Sequence, residues 1–364
     1  MDIKFGYWMP QANGGFVVSD LPQRTEYSFE YNKKLIQTAE KVGFDYTLTP
    51  ARYFSSHGWS EQFEAITTTA GLASYTNKIK LIAAAHPGLW HPGIIAKMGA
   101  TIDHMCNGRW NINITTGFLK EEFVGFGEPW LEHGERYRRA EEFINVLKGL
   151  WTEDSFDFRG DFYQIHDAPL RPKPLANPHP EIFQGGNSTA ARKMAARVSD
   201  WLLINGNTLE DTKELIETTN QYAEEAGRRS KLKYGINAFV ILRDTEEEAR
   251  QVYRDIVDHA PREVIERFHE QTRQAGASTS DGIGMWTNSS YEDYVQQNDG
   301  FKPDFIGTKE QIAKKMQEYH AVGIDFFLVS FLHYSDELEL FGKEIIPYVR
   351  QLDSLRKEEN EIPQ

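Results

Sequence analysis

What most constrains the fold of this chain is an alternation, eight times over, of a short β-rich run with a longer amphipathic stretch. The β-rich runs fall at 3–9, 44–49, 79–85, 109–115, 181–184, 201–204, 234–242 and 325–331. Helical patterns follow them at 28–42, 61–75, 92–105, 135–151, 188–198, 208–227, 245–258 and 337–350. Several of the runs are apolar throughout, as strands covered on both faces must be. Strand then helix, repeated eight times, predicts a closed parallel α/β barrel of the TIM (β/α)8 type over 1–364, with an open doubly wound sheet as the alternative. Helix punctuation agrees: Thr208 precedes Glu210 and Asp211 at one start, and Gly227 stands at the same helix's end.

A chain of 364 residues is long for one ordinary domain, so it holds either two domains or one barrel with insertions. No linker divides it, and the surplus length is localised. An insertion at 118–134 follows strand four. Residues 154–180 combine an alternating aromatic run with a Pro-rich stretch, and predict a hairpin crossing the barrel. The segment 259–304, with Gly276, Gly282 and Gly284, follows strand seven and predicts a lid over the site.

Charge and cysteine content exclude several classes. Forty Lys and Arg against 54 Asp and Glu give a net charge of −14, the wrong sign for gripping nucleic acid or an anionic membrane. The lone Cys106 excludes an internal disulfide framework and a multi-cysteine metal centre. The opening MDIKFGYWMP lacks the pattern of a secretion signal, and no apolar run reaches bilayer length. The expectation is a cytoplasmic enzyme without a metal.

In such a barrel the chemistry sits just past the strand ends. Those positions hold Pro10, residues 49–52, His86, residues 115–117 and 185–188, Asn205 and His333. The set is polar but poor in carboxylates, and no HExxH, GxSxG or GxxxxGK[ST] motif occurs, so hydrolytic and metal chemistry are disfavoured. In QGGNSTAAR, Gly185 and Gly186 allow close backbone approach, and Ser188 opens a helix whose free N–H groups suit a phosphate. The alternative reading of Ser188 is an ordinary helix cap. In EHGERYRRAEEF, Arg136 and Tyr137 point to an anionic partner at a helix start, whereas Arg138 and Arg139 read as a solvated face balanced by Glu141 and Glu142. Asn113, Thr115, Thr116 and Glu122 offer donors and acceptors suited to a heteroaromatic edge, or are satisfied structurally. His333 first and His86 second are candidates for proton transfer, against a structural role for each. Trp90, Trp130 and Trp286 would supply apolar walls.

Taken in order, LTPAR (48–52), GRWNINITTG (108–117), EPWLEHGERYRRAEEF, HPEIFQGGNS with TAARKMAARVSDWLLINGN, GINAFVILRDTEEEAR, YVQQNDGFK and SFLHYSDELELFGKEIIP resemble the luciferase-like flavin-dependent monooxygenases. Within them the wording is most similar to the dimethylsulfone monooxygenase subgroup, which is related to the alkanesulfonate monooxygenases. The resemblance runs from residue 3 to 348. It implies a barrel of the bacterial luciferase type that binds reduced FMN (FMNH2) as a diffusible substrate. A separate NAD(P)H:flavin reductase would supply that flavin, and O2 would be the co-substrate. By matching positions it implies Ala51, Arg52, Asn113 and Glu122 at the isoalloxazine and ribityl region. Arg136, Tyr137 and Ser188, with Gly185 and Gly186, would hold the 5′-phosphate. The implied reaction oxidises a small organosulfur compound, dimethylsulfone to methanesulfinate and formaldehyde, in an assembly of two or four copies. A sulfonate or a nitrogen heterocycle as substrate, or a non-catalytic flavin-binding barrel, are the alternatives. Some positions depart from the relatives. Asn237 and Phe239 stand where alkanesulfonate enzymes carry Arg and His, and Ser55 or Ser56 stands where they carry Cys. His86 and His91 stand where dimethylsulfone enzymes carry apolar or small residues.

Overall fold

All eight β-rich runs pair in parallel, and the sheet they form closes on itself. The computed structural model describes residues 2–54, 61–276, 286 and 289–361. Its barrel strands are β1 Lys4–Trp8, β2 Tyr46–Thr49, β3 Lys80–Ala85, β4 Trp110–Ile114, β5 Ile182–Gly185, β6 Trp201–Ile204, β7 Lys233–Phe239 and β8 Ile324–Ser330. Closure comes from β1 against β8, with Lys4 opposite Phe326 and Tyr7 opposite Val329. Every residue of β2, β4, β6 and β8 is buried, because alternate side chains fill the barrel and the others meet the helices.

The barrel interior is aromatic. Phe183 and Trp201 stack with centroids 5.4 Å apart, and Tyr46 and Phe326 pack around them. Room for Phe326 is made by two glycines: a Cβ on Gly6 would lie 2.5 Å from its ring, and one on Gly235 2.8 Å. Below this layer Glu181 accepts from Lys233 at 2.5 Å, Lys80 at 2.9 Å, the Trp201 indole at 3.0 Å and the Tyr46 hydroxyl at 3.1 Å. Burial works to raise its pKa, but Lys80 and Lys233 outweigh it and draw the carboxyl down to about 2.

The barrel helices are α1 Phe29–Lys41, α2 Ala65–Leu72, α3 Pro92–Met105, α4 His133–Thr152, α5 Thr189–Val198, α6 Leu209–Glu225, α7 Lys309–Ala321 and α8 Tyr334–Glu361. Their starts are chemically marked: the side chains of Ser188 and Thr208 accept from Ala191 and Asp211, and Thr308 with Gln311 forms a capping box. None of the helices among the described residues is long and apolar enough to cross a membrane.

Two sequence expectations need correction. The pattern at 245–258 is a helix, Glu246–Asp258, but it is not the seventh helix of the barrel; α7 is. That helix and Arg262–Gly276 turn their apolar stripes to a second core containing Phe239, Ile256, Ile265, Phe268, Trp286 and Phe301, to which the loops after β1 and β8 add Val17, Val18 and Leu332. The insertion after β7 therefore begins at about 240 and runs to the bridge between Ile241–Leu242 and Ile306–Gly307. Much of the predicted lid is thus helical; Gly282 and Gly284 lie outside the described residues. The second correction concerns the hairpin, Phe156–Arg159 against Gln164–Ala168, a separate two-stranded sheet that packs on α4 rather than across the barrel. Phe156 lies so close over Gly149 that a Cβ there would sit 2.0 Å from the ring. The Glu142 carboxylate accepts from the backbone N–H groups of Asp161, Phe162 and Tyr163.

Candidate active site

The C-terminal ends of the strands surround an open-mouthed cavity. Nearly every strand contributes: Trp8 from β1, Ala84 and then His86 from β3, Asn113 and then Thr115 from β4, Leu203 and then Asn205 from β6, Asn237 from β7. The loop after β2 adds Ala51 and Arg52, the end of β5 Gly185 with Gly186 just past it, and α4 its Tyr137. Gathering residues from so many elements at one mouth is what this architecture does at its catalytic face.

One wall carries a buried ion pair. Glu122, from the short helix Lys120–Gly125 in the insertion after β4, has no solvent exposure. Its Oε1 accepts from the backbone of Tyr53 at 2.8 Å and of Phe54 at 3.3 Å, while Oε2 lies 3.9 Å from Arg52 and has no hydrogen-bond partner. Burial pulls the Arg52 guanidinium below its usual pKa and Glu122 opposes that pull. Beside the pair, Asn113 is buried with its Oδ1 unpartnered. His86 is buried too; its Nδ1 lies 2.9 Å from both the carbonyl and the hydroxyl of Thr115.

Gly185, Gly186 and Tyr137 line another part of the cavity, with Ser188 and Arg136 next to them in the chain. Gly186 has φ +134°, and a Cβ there would come within 2.9 Å of the Tyr137 hydroxyl and 3.0 Å of the Ala191 Cβ. Next to it the Ser188 Oγ accepts from Ala191 at 3.2 Å, which leaves its own hydrogen to donate. Arg136 lies flat over Trp130, its guanidinium 4.1 Å from the ring centroid, and donates to the Gly117 carbonyl at 2.6 Å. Its Nε is buried and unpartnered, and burial draws its pKa down to about 10. Arg192, in the first turn of α5, lies over Tyr222 at 5.7 Å, donates to Thr189 and keeps a buried, unpartnered Nε. Sequence reasoning passed over Arg192, although it is the last letter of the QGGNSTAAR segment.

Of the two arginines read as a solvated face, one is and one is not. Arg138 is on the surface and pairs with Glu135 and Asp161, as a solvated face requires. Arg139 is not: it is buried against Gly88, where a Cβ would lie 2.3 Å from the guanidinium. Glu141 and Glu142 balance neither arginine, since Glu141 binds Arg197 and Glu142 caps the hairpin tip. His333 stands immediately before α8, its backbone N–H donating to Glu337 at 3.1 Å, and is not among the residues that line the cavity. His91 caps α3 by accepting from Gly93. Trp90 donates to the Tyr53 hydroxyl at 2.5 Å, and Trp286 packs edge-on against Phe118 at 5.3 Å. Phe239 belongs to the second core, packed on Phe301, whereas Asn237 lines the cavity. The Asn237 Oδ1 accepts from the Trp8 indole at 2.7 Å and its Nδ2 donates to the Ile204 carbonyl at 2.9 Å. Ser55 and Ser56 lie outside the described residues.

The insertion after β7 closes one side of the mouth. Asn298 reaches the cavity, and its carbonyl accepts from Gly206 past the end of β6. The Gly300 carbonyl accepts from Phe239 at the end of β7, and that of Val295 from Val18. Two loops of the barrel and the end of β7 thereby hold this segment in place. Gly206 is required here, because a Cβ would fall 1.8 Å from the Asp299 carbonyl oxygen.

Comparison with known proteins places this geometry in a family. The chain is 49% identical over 355 residues to an FMNH2-dependent dimethylsulfone monooxygenase of Pseudomonas putida, covering 98% of this chain and 97% of that protein. It is 48% identical over 352 residues to the protein of the same description from Pseudomonas fluorescens (strain Pf0-1), covering 97% and 96%. A riboflavin lyase crystallised with modified FMN and riboflavin shares the fold, with a TM-score of 0.83 at 18% identity over 97% of this chain and 92% of that one. The profile described as luciferase-like monooxygenase matches residues 3–325, most of the barrel and its cavity, and the chain belongs to that family.

Proposed function

We propose that this protein is an FMNH2-dependent monooxygenase that converts dimethylsulfone to methanesulfinate and formaldehyde. The observation that carries the reading is the near-half identity, over almost the whole chain, to two curated enzymes of that description. The balance is one dimethylsulfone, one O2 and one FMNH2 giving one methanesulfinate, one formaldehyde, one water and one FMN, with a proton released from the sulfinic acid at neutral pH.

The cavity fits reduced FMN. A phosphate needs donors that have no other partner, and the Ser188 hydroxyl, the Tyr137 hydroxyl beside Gly186 and the unpartnered Nε of Arg136 supply them in one region. The flavin's polar edge needs mixed donors and acceptors, and Asn113, Arg52 and the backbone at Ala51 offer these on the other wall. When bound, reduced FMN supplies the two electrons with which O2 is divided between substrate and water.

The remaining work belongs to the chain's own residues. Arg136, Tyr137 and Ser188, with Gly185 and Gly186, anchor the phosphate end. Glu122 keeps Arg52 charged and in place by facing it at 3.9 Å. Trp8, Ala84 and Leu203 form an apolar floor, and Phe118 with Trp286 extends it beneath the insertion, so that water is displaced from the reacting centre. Among the described lining residues Arg52 is the single cation, and Glu122 neutralises it. That balance supports a neutral sulfone over a sulfonate, which would demand an uncompensated guanidinium. A separate NAD(P)H:flavin reductase in the cytoplasm delivers the flavin, consistent with the lack of a GxGxxG fingerprint in the sequence, and the enzyme works as a dimer or tetramer.

The test is aerobic turnover with a flavin reductase, NADH and dimethylsulfone, following formaldehyde and methanesulfinate by mass spectrometry. Formaldehyde in step with dimethylsulfone consumed is expected. Oxidation of FMNH2 to hydrogen peroxide with no formaldehyde would refute the substrate assignment.

A further inference from the structure

We propose that Asn298 binds the substrate directly, its side-chain carboxamide donating a hydrogen bond to a sulfone oxygen. This rests on the dimethylsulfone reading above. Asn298 is carried by the insertion after β7 and lines the cavity. Its backbone is already committed: the N–H donates to the Gln296 Oε1 at 2.9 Å, and the carbonyl accepts from the Gly206 N–H at 2.8 Å. The side chain is half-buried and makes no hydrogen bond among the described residues. The carboxamide is therefore the polar group this residue has left to offer a ligand. Asn237, another asparagine of the lining, is not free in this way. The Trp8 indole, which can only donate, holds its Oδ1, and the Ile204 carbonyl, which can only accept, holds its Nδ2. Asn113 and Asn205 are almost wholly buried.

The turn that presents Asn298 is fixed from several sides. The Gln296 Oε1 also accepts from the Gly300 N–H at 2.6 Å, so one side-chain oxygen spans the turn. Asp299, the next residue, holds φ +55°, a left-handed conformation disfavoured for residues other than glycine. Its buried carboxylate accepts from the Ser289 hydroxyl at 2.6 Å and lies 3.4 Å from the Lys302 ammonium. Strain of this kind persists only where the surroundings over-determine it, and here it adjoins a side chain at the cavity.

Placement and chemistry agree. In the ring of strands β6 and β7 lie across the barrel from β2 and β3. The turn is tied to Gly206 past β6 and to Phe239 at the end of β7, so Asn298 enters the mouth from the side opposite Arg52. A sulfone presents two uncharged acceptor oxygens and no N–H or O–H. An amide N–H meets such an oxygen without bringing a charge, whereas a guanidinium at this place would favour a sulfonate.

The test compares Asn298→Ala with Asn298→Asp, which keeps the size and shape of the side chain but has no N–H to donate at neutral pH. KM and kcat for dimethylsulfone are read from formaldehyde release with FMNH2 supplied by a flavin reductase, and FMNH2 affinity from anaerobic titration. Asn298→Ala should raise the KM for dimethylsulfone about three- to tenfold while FMNH2 affinity changes by less than about twofold. Asn298→Asp should raise it further, because a carboxylate repels the sulfone oxygens. A side chain that only fills space or steadies the turn would give the reverse order. An unchanged KM in Asn298→Ala, a lower KM in the Asp variant than in the Ala variant, or an equal loss of FMNH2 affinity overturns the proposal while wild-type turnover stands. Wild type that forms no formaldehyde from dimethylsulfone overturns the substrate reading and this proposal together.

Discussion

Arg136 offers a perturbation whose effects on stability and on ligand affinity have opposite signs. Its guanidinium is buried, donates one charged hydrogen bond at 2.6 Å to Gly117, lies on Trp130, and pairs with no carboxylate among the described residues. Burial lowers its pKa to about 10, and a depression of that size corresponds to roughly 3 kcal/mol of cost to the folded, charged state. Because the folded-state pKa lies below the unfolded one, this cost is present throughout the range below about pH 10 and is relieved only above it. Arg136→Met removes the cost and keeps the apolar stem over Trp130. It forfeits the charged hydrogen bond, about 1.5 kcal/mol, and the ring contact, about 1 kcal/mol. The ligand-free variant should therefore be as stable as wild type or more stable by up to roughly 1 kcal/mol, read from urea unfolding. Affinity for FMNH2 should fall by roughly 10- to 150-fold, the value of one charge-assisted bond, while affinity for reduced riboflavin, which lacks the phosphate, should hardly change. A clear loss of stability, or equal losses for the two flavins, would refute the view that Arg136 is held in readiness for an anion.

At the other end of the barrel, Glu181→Gln should cost roughly 2 kcal/mol at neutral pH, allowing for the partial exposure of the carboxylate. Its folded-state pKa of about 2 lies below the unfolded value, so the deficit should fade as pH falls through the carboxylate range; a constant deficit in acid unfolding curves would exclude the ion network as its source. Asp299 has the reverse sign: burial outweighs Lys302 and raises its pKa to about 6, so the folded state is penalised above that pH. Asp299→Asn should gain roughly 1–2 kcal/mol at pH 8, with the gain vanishing towards pH 4, and a gain that persists in acid would contradict this. His333→Ala should preserve product formed per flavin oxidised, since the ring is not part of the cavity lining; a hundredfold loss of product with release of hydrogen peroxide would restore His333 to the proton-transfer role.

The strand runs were legible because a strand covered on both faces leaves little freedom in composition, as Ile79 to Ala85 and Trp201 to Ile204 illustrate. The seventh helix was not, because the amphipathic stripe of 246–258 is as regular as that of α7. Periodicity reports that a helix has an apolar face, not which core receives it. The signal that separates them lies in pairing: Ile241 and Leu242 bridge to Ile306 and Gly307, closing a loop of more than sixty residues before α7 begins. The hairpin was displaced for a related reason, since alternation in Phe156 and Phe158 fits any apolar surface, and the surface it found was Gly149 on α4.

The same limit explains the arginines. Four consecutive positions, 136 to 139, carry Arg, Tyr, Arg and Arg, and a helix sends successive side chains about 100° apart, so at most two or three can share a face. Arg136 and Arg139 are three residues apart and turn inward together, while Arg138 turns out to Glu135 and Asp161. Spacing alone therefore grouped Arg139 with Arg136, and the neighbouring glutamates misled by suggesting local charge balance. Those glutamates are occupied elsewhere, Glu141 by Arg197 and Glu142 by the hairpin backbone. Arg136, Arg139 and Arg192 each keep a buried Nε without a partner, but Arg192 lies over Tyr222 and Arg139 against Gly88 and Phe123. A buried donor of that kind costs the ligand-free protein stability, so the helical pattern shows which arginines turn inward and leaves to the packed neighbours, Gly117 and Trp130 for Arg136 and Gly88 for Arg139, what each one meets.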